Sequence, residues 1–210
     1  QDEIRSFVRE LENELKDYVP INELDPVKIR RQQESGEGRY VPPVISSDAI
    51  ERQIPAETGH VPVRCFIPKG QIDGVYMHIH GGGWVIGGAH HSDTELEEIR
   101  DYCNAAVISV DYRLAPENKY PAAQDDCEAV ALWIIENARM EFGTDKVVIG
   151  GESAGAHLST TTMVRLRDRH GYTGFTGSNL VYGVFDLSMT PSCRLWGDRW
   201  LILSTPIMKW

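Results

Sequence analysis

Residues 148–158 read Val-Ile-Gly-Gly-Glu-Ser-Ala-Gly-Ala-His-Leu. They place Ser153 between Gly151 and Gly155, with His157 four residues on. A serine hydroxyl at its ordinary pKa is a weak nucleophile, and it attacks a carbonyl only when a base takes its proton. Held on a sharp strand-to-helix turn, with glycines where strand and helix crowd, its Oγ is lifted clear and the helix amino terminus favours nearby negative charge. The five-residue pattern alone arises by chance in roughly one chain in ten at this composition. A second stretch, His80-Gly81-Gly82-Gly83-Trp84, is far rarer. Three glycines let backbone N–H groups converge on one point with no side chain in the way, and such donors can hold the oxyanion of a tetrahedral intermediate. A phosphate-cradling loop is the competing use of such glycines, but no G-x-G-x-x-G is present and no lysine-serine pair follows. Together the two stretches point to acyl transfer.

Both stretches need strand ends to position them. From residue 74 the pattern alternates. Strands are expected at 75–80, 106–110, 146–150 and 179–186, and helices at 92–104, 122–142 and 154–170, the first with a capping box from Ser92 to Glu95 and the last two ended by Gly143 and Gly171. Alternation of this kind implies an α/β fold, a mostly parallel sheet covered on both faces, with chemistry at the carboxyl ends of its strands. Upstream, residues 2–19 carry apolar residues at helical spacing up to Pro20. Asp25-Pro26 opens a second helix, and 48–56 and 60–68 form a hairpin around Thr58-Gly59.

The chain has 210 residues, 41% hydrophobic and 25% charged, with a formal net charge of −10. An acidic surface repels nucleic acid and anionic lipid, so neither is an expected partner. No apolar run reaches the ~20 residues of a membrane helix, and no signal peptide is visible. The four cysteines, Cys65, Cys103, Cys127 and Cys193, form no C-x-x-C pair. Free thiols and a cytoplasmic location are the simplest expectation, with no metal site.

At His80–Trp84 and Gly151–Gly155 the sequence resembles the hormone-sensitive-lipase-like (HGGG-type) esterases of the α/β-hydrolase fold. The segment Asp111-Tyr112-Arg113-Leu114-Ala115-Pro116-Glu117, followed by Tyr120-Pro121-Ala122-Ala123, matches the family between those motifs. The resemblance runs through most of residues 60–190. It implies that Ser153 attacks the ester carbonyl and that the amides of Gly82, Gly83 and Ala154 hold the oxyanion. It further implies that Gly81 shapes the loop, that His80 orients it and is not a proton carrier, and that Trp84 lines the acyl pocket. Asp111, Tyr112 and Arg113 would tie down the loop after strand 106–110, and Glu152 would support the elbow or the donor loop. The expected organisation is cap helices at 1–40, a partial hydrolase core at 41–195 and the start of a second cap segment at 196–210. Residues 2–35 are read equally as part of a cap or as helices packed on the body. No metal or organic cofactor is implied. The expected partner is a small-molecule ester, with a homo-oligomer left open.

The base is the missing part. In this fold the order is nucleophile, acid, histidine, and after Ser153 only His157 and His170 remain. His157 shares a helix face with position 153 but lies one turn inside the helix, and a packing role is preferred. His170 is on the order of 25 Å away along the helix. His78 points to the same face as His80 and is read as a supporting residue. His90 and His91 are read as polar residues leading into a helix. Asp186, at a strand end, is weighed as the acid, with structure the preferred role. The apolar stretch Trp200–Trp210 reads as the opening of further cap, so the chain is expected to be the larger part of an esterase whose acid and histidine lie elsewhere. Two alternatives stand beside ester hydrolysis. One is a ligand-binding protein of the same fold, as in the plant gibberellin receptors, which resemble this family and lack a working triad histidine. The other is an amidase or formamidase.

Overall fold

The computed structural model describes residues 2–199 and 201–209. The chain divides into two compact units, one of residues 32–184 and one joining residues 1–31 to 185–210.

The larger unit is built on a six-stranded sheet. Its strands are β1 (Ile50–Ala56), β2 (Gly59–Phe66), β3 (Gly74–Ile79), β4 (Ala105–Val110), β5 (Val147–Glu152) and β6 (Gly177–Val181), in the order β1-β2-β4-β3-β5-β6. The β1–β2 and β2–β4 pairs are antiparallel, and β4, β3, β5 and β6 run parallel. The sheet is therefore mixed, with the expected parallel half carrying both motifs. The hairpin turn falls on Glu57-Thr58, with Ala56 paired to Gly59.

Alternate side chains of the central strands enter different layers. Val75, Met77 and Ile79 of β3 and Ala106, Ile108 and Val110 of β4 join the main core. They pack there with Cys127, Val130, Ala131, Ile134 and Ala138 of helix α4 (Ala122–Phe142) and with Leu158 and Leu166 of α5 (Ala154–His170). Tyr76 and Val107 face the other way and meet Leu96 of α3 (Asp93–Cys103). Helices α4 and α5 end in glycines, Gly143 and Gly171, in the left-handed conformation, as a Schellman-type stop requires.

Two expectations change. The Ser92–Glu95 capping box does not form. A 3₁₀ turn at Ala89–Ser92 runs straight into α3, so Ser92 never takes the extended geometry of a cap and its side chain bonds no backbone N–H. The last strand is Gly177–Val181 instead of 179–186. Val181 pairs with Glu152, the end of β5, and Tyr182 turns to a positive φ of 40°, so among the described residues no partner strand continues the ladder beyond it.

The smaller unit holds α1 (Asp2–Leu15) and the first turn and a half of α2 (Pro26–Ser35). It also holds two short helices, α6 (Pro191–Leu195) and α7 (Thr205–Lys209). Asp25 caps α2 by accepting from the Lys28 N–H at 3.0 Å. In α1 only Leu15 is buried, while Ile4 and Phe7 are exposed. Glu12 and Arg199 form an ion pair. Of the apolar stretch Trp200–Trp210, the two bounding tryptophans lie outside the described residues.

Candidate active site

The register of two strands builds the site. In the parallel β3–β5 pair, Ile79 lies opposite Gly151. The turns that follow, His80–Trp84 and Glu152–Gly155, therefore leave the same edge of the sheet side by side. Both start at carboxyl ends.

Ser153 has φ 53° and ψ −116°, a conformation that costs a non-glycine residue on the order of 1–3 kcal/mol and persists only where its surroundings impose it. What imposes it is crowding. A Cβ on Gly151 would stand 1.9 Å from the Ile79 carbonyl oxygen, and one on Gly155 would stand 1.8 Å from the same atom. The Ser153 N–H donates to Val181 O at 2.9 Å, which ties the turn to β6. Ala154 is the first residue of α5, so its N–H has no intrahelical acceptor.

The glycine loop is shaped differently. Gly82, Gly83 and Trp84 all have positive φ, at 107°, 60° and 63°. The Gly82 carbonyl accepts from the N–H groups of Val85 and Ile86. The Gly81 N–H donates to Glu152 Oε1 at 2.5 Å. The amides of Gly82 and Gly83 donate to no acceptor among the described residues.

Behind the loop lies a chain of side chains. Glu152 Oε2 is 3.1 Å from His78 Nε2, and His78 Nδ1 is 2.9 Å from Ser109 Oγ, its cross-strand partner on β4. Burial works to raise the Glu152 pKa. The hydrogen bonds from His78 and Gly81 outweigh it and hold the carboxyl below its ordinary range. His80 is 2% exposed, and desolvation pushes its pKa down to about 4. Its Nδ1 donates to Gly81 O at 2.7 Å, and its ring stacks on Tyr112 with centroids 4.2 Å apart. Such a ring stays neutral at pH 7, and its one N–H is spent on the Gly81 carbonyl. Tyr112 Oη in turn donates to His80 O at 2.9 Å. Asp111 accepts the Ala89 N–H, and Arg113 pairs with Asp126.

The remaining histidines have other occupations. His157 is 9% exposed, its Nδ1 donates to Val184 O at 2.7 Å, and its ring meets Trp84 edge-on at 5.2 Å. His170 Nε2 is held by Glu128 at 2.9 Å. No ring nitrogen bonds Ser153 Oγ among the described residues. Asp186, in the smaller unit, is exposed and accepts from the Ser188 N–H at 2.9 Å and from its hydroxyl, an Asx-type turn. Sequence reasoning did not single out Ser109 or the Tyr112 hydroxyl as loop supports. The Ser109 contact depends on β4 lying beside β3, which chain order does not reveal.

Comparison with known proteins finds esterases of similar sequence and fold. An arylesterase from Saccharolobus solfataricus is 34% identical over 166 residues, 76% of this chain and 54% of that protein. A carboxylic ester hydrolase, LipN, from Mycobacterium tuberculosis is 36% identical over 172 residues, covering 79% of this chain and 46% of the relative. The structure of a Pyrobaculum calidifontis esterase superposes with a TM-score of 0.80 at 29% identity, over 95% of this chain and 67% of that one. The chain spans about half the length of the curated relatives it matches. No described helix is long and apolar enough to cross a membrane. A family model for the alpha/beta hydrolase fold matches residues 76–210, and the chain belongs to that family, as its resemblance to the hormone-sensitive-lipase-like esterases implied.

Proposed function

We propose that this protein hydrolyses carboxylic esters of short to medium acyl chain through an acyl-enzyme on Ser153. The observation that carries the reading is the pairing of two turns at the ends of β3 and β5: a serine forced to positive φ beside two glycine amides with no acceptor among the described residues. In this reading Ser153 Oγ bonds to the ester carbonyl carbon and the carbonyl oxygen takes the negative charge. The N–H groups of Gly82, Gly83 and Ala154 stabilise that charge. The alkoxide then re-forms the carbonyl and expels the alcohol, and water releases the acid by the same path. Trp84 lines the acyl side, and Gly81, His80 and Glu152 hold the loop. The proton of Ser153 goes to a base, and no histidine nitrogen among the described residues bonds its Oγ.

The names of the relatives, arylesterase and carboxylic ester hydrolase, support the substrate class. The test is hydrolysis of p-nitrophenyl butyrate by the full-length protein. Ser153→Ala is expected to lower kcat by on the order of 10⁶-fold, as for loss of a triad nucleophile, whereas His157→Gln keeps it within roughly threefold. Equal loss in both variants would make His157 the base. Turnover that survives Ser153→Ala would overturn the mechanism.

A further inference from the structure

Away from the elbow, three side chains converge on one point. Glu34 lies in the last turn of α2, and His90 and His91 lie in the 3₁₀ turn Ala89–Ser92. Glu34 Oε1 stands 2.9 Å from His90 Nε2 and 3.1 Å from His91 Nε2, and the ligand atoms of all three lie within 4.8 Å of one another. The two imidazoles are packed together, with centroids 4.3 Å apart. We propose that Glu34, His90 and His91 form a zinc-binding site.

His90 Nε2 is hydrogen-bonded to Glu34 Oε1 at 2.9 Å, and the second contact, that of His91, is the one a metal explains. Zinc bonds histidine nitrogen and carboxylate oxygen at roughly 2.0–2.2 Å, so neighbouring ligand atoms of a tetrahedral site lie about 3.3 Å apart. The two histidine–carboxylate separations are close to that edge. Both ring nitrogens of His91 are shielded from solvent and make no hydrogen bond among the described residues, although Nε2 is only 3.1 Å from the carboxylate. A nitrogen close to an oxygen but misaligned for a hydrogen bond is what two ligands of one ion look like, because the ion sits off the line joining them. Two protonated imidazoles at this spacing would repel each other. Two neutral ones present lone pairs, and a divalent cation turns all three contacts attractive.

The ligands are also pre-positioned. The His91 N–H donates to Gly88 O, and the Ala89 N–H donates to Asp111 Oδ1. The His90 ring packs so closely over Gly88 that a Cβ there would stand 2.9 Å from it. Beside Glu34, Gln33 Oε1 accepts the Gly87 N–H at 3.3 Å. Glu34 is half exposed, so water can complete the coordination. A bound ion would clamp the end of α2 to the segment that continues the glycine loop, a structural role distinct from the chemistry at Ser153.

Calorimetric titration of the untagged full-length protein with Zn²⁺ tests this. One ion per chain is expected, with Kd on the order of 10 μM or tighter. At a hundredfold excess over Kd, Tm should rise by roughly 5 °C. Glu34→Gln, His90→Gln and His91→Gln should each weaken binding at least about tenfold, while His60→Gln, an exposed histidine on β2, leaves it unchanged. No binding in this range, or equal affinity in all variants, overturns the site. Should the variants fail to fold, the wild-type protein decides. Copper(II)–ascorbate oxidation mapped by peptide mass would concentrate on His90 and His91 and be suppressed by zinc, whereas oxidation spread evenly over the seven histidines overturns the proposal.

Discussion

The two turns that meet at the ends of β3 and β5 are held by different means. The serine turn is held by backbone against backbone: Gly151 and Gly155 press on one carbonyl, that of Ile79, with no room for a methyl group. The glycine loop has backbone bonds of its own, from Val85 and Ile86 to Gly82 O and from Ala115 to Trp84 O, and is braced in addition by side chains. Glu152 takes its first amide, Tyr112 its carbonyls, and His80 fills the space beneath. A turn fixed by steric contact at the edge of the main core shares the stability of that core. A loop braced by a few hydrogen bonds can be loosened while the fold survives. Substitutions in the two turns should therefore separate stability from catalysis.

The largest effect belongs to the serine turn. Gly155→Ala places a Cβ 1.8 Å from Ile79 O and 2.8 Å from His80 O. Neither oxygen can move without shifting β3. Unfolding in urea should show a loss of about 3 kcal/mol or more, at the upper end of what overpacking costs. A loss under 1 kcal/mol would mean that the turn yields as easily as the loop.

His80 gives the next effect, and its sign follows from the direction of its pKa. The unfolded chain takes up a proton near pH 6.5, while the folded ring stays neutral down to about pH 4. Between those values the unfolded state binds more protons, so stability rises with pH. Lowering the pH through this window should cost roughly 3 kcal/mol in all. Glu152, with its pKa depressed, adds its own loss only below the ordinary carboxylate range as pH falls. His80→Gln should remove the upper part of the slope. Urea midpoints measured at intervals between pH 7 and pH 4 check this, and an unchanged slope in the variant would assign the proton to another group.

Much of this arrangement was legible in the residues. Helices α4 and α5 were bounded by their terminal glycines, and the strand before each motif followed from short apolar runs ahead of turn glycines. The crowding that demands Gly151 and Gly155 follows from the strand–turn–helix context alone. Interactions that cross between distant segments were not legible. Ser109 reaches His78 because β4 pairs with β3 in one register, and Glu34 reaches His90 and His91 because of a return of the chain that no local pattern encodes. The failed capping box at Ser92 has the same root. Asp93, beside it, is drawn into bonds with Arg64 and the Ser46 N–H, and the turn it anchors leaves Ser92 no cap to form.

The smallest effect should be the most selective. Glu152→Gln keeps the size of the side chain and an oxygen able to accept from the Gly81 N–H, but it removes the charge that draws both Gly81 and His78. The loop loses definition without losing its fold. The full-length protein should then show kcat lowered roughly tenfold with KM little changed, because the lost interaction positions donors that act on the oxyanion of the transition state and not on the bound ester. The urea midpoint should barely move. If KM rises and kcat holds, Glu152 shapes the binding of substrate instead. If stability falls as far as in Gly155→Ala, the loop is part of the same rigid body as the elbow, and the contrast between the two turns disappears.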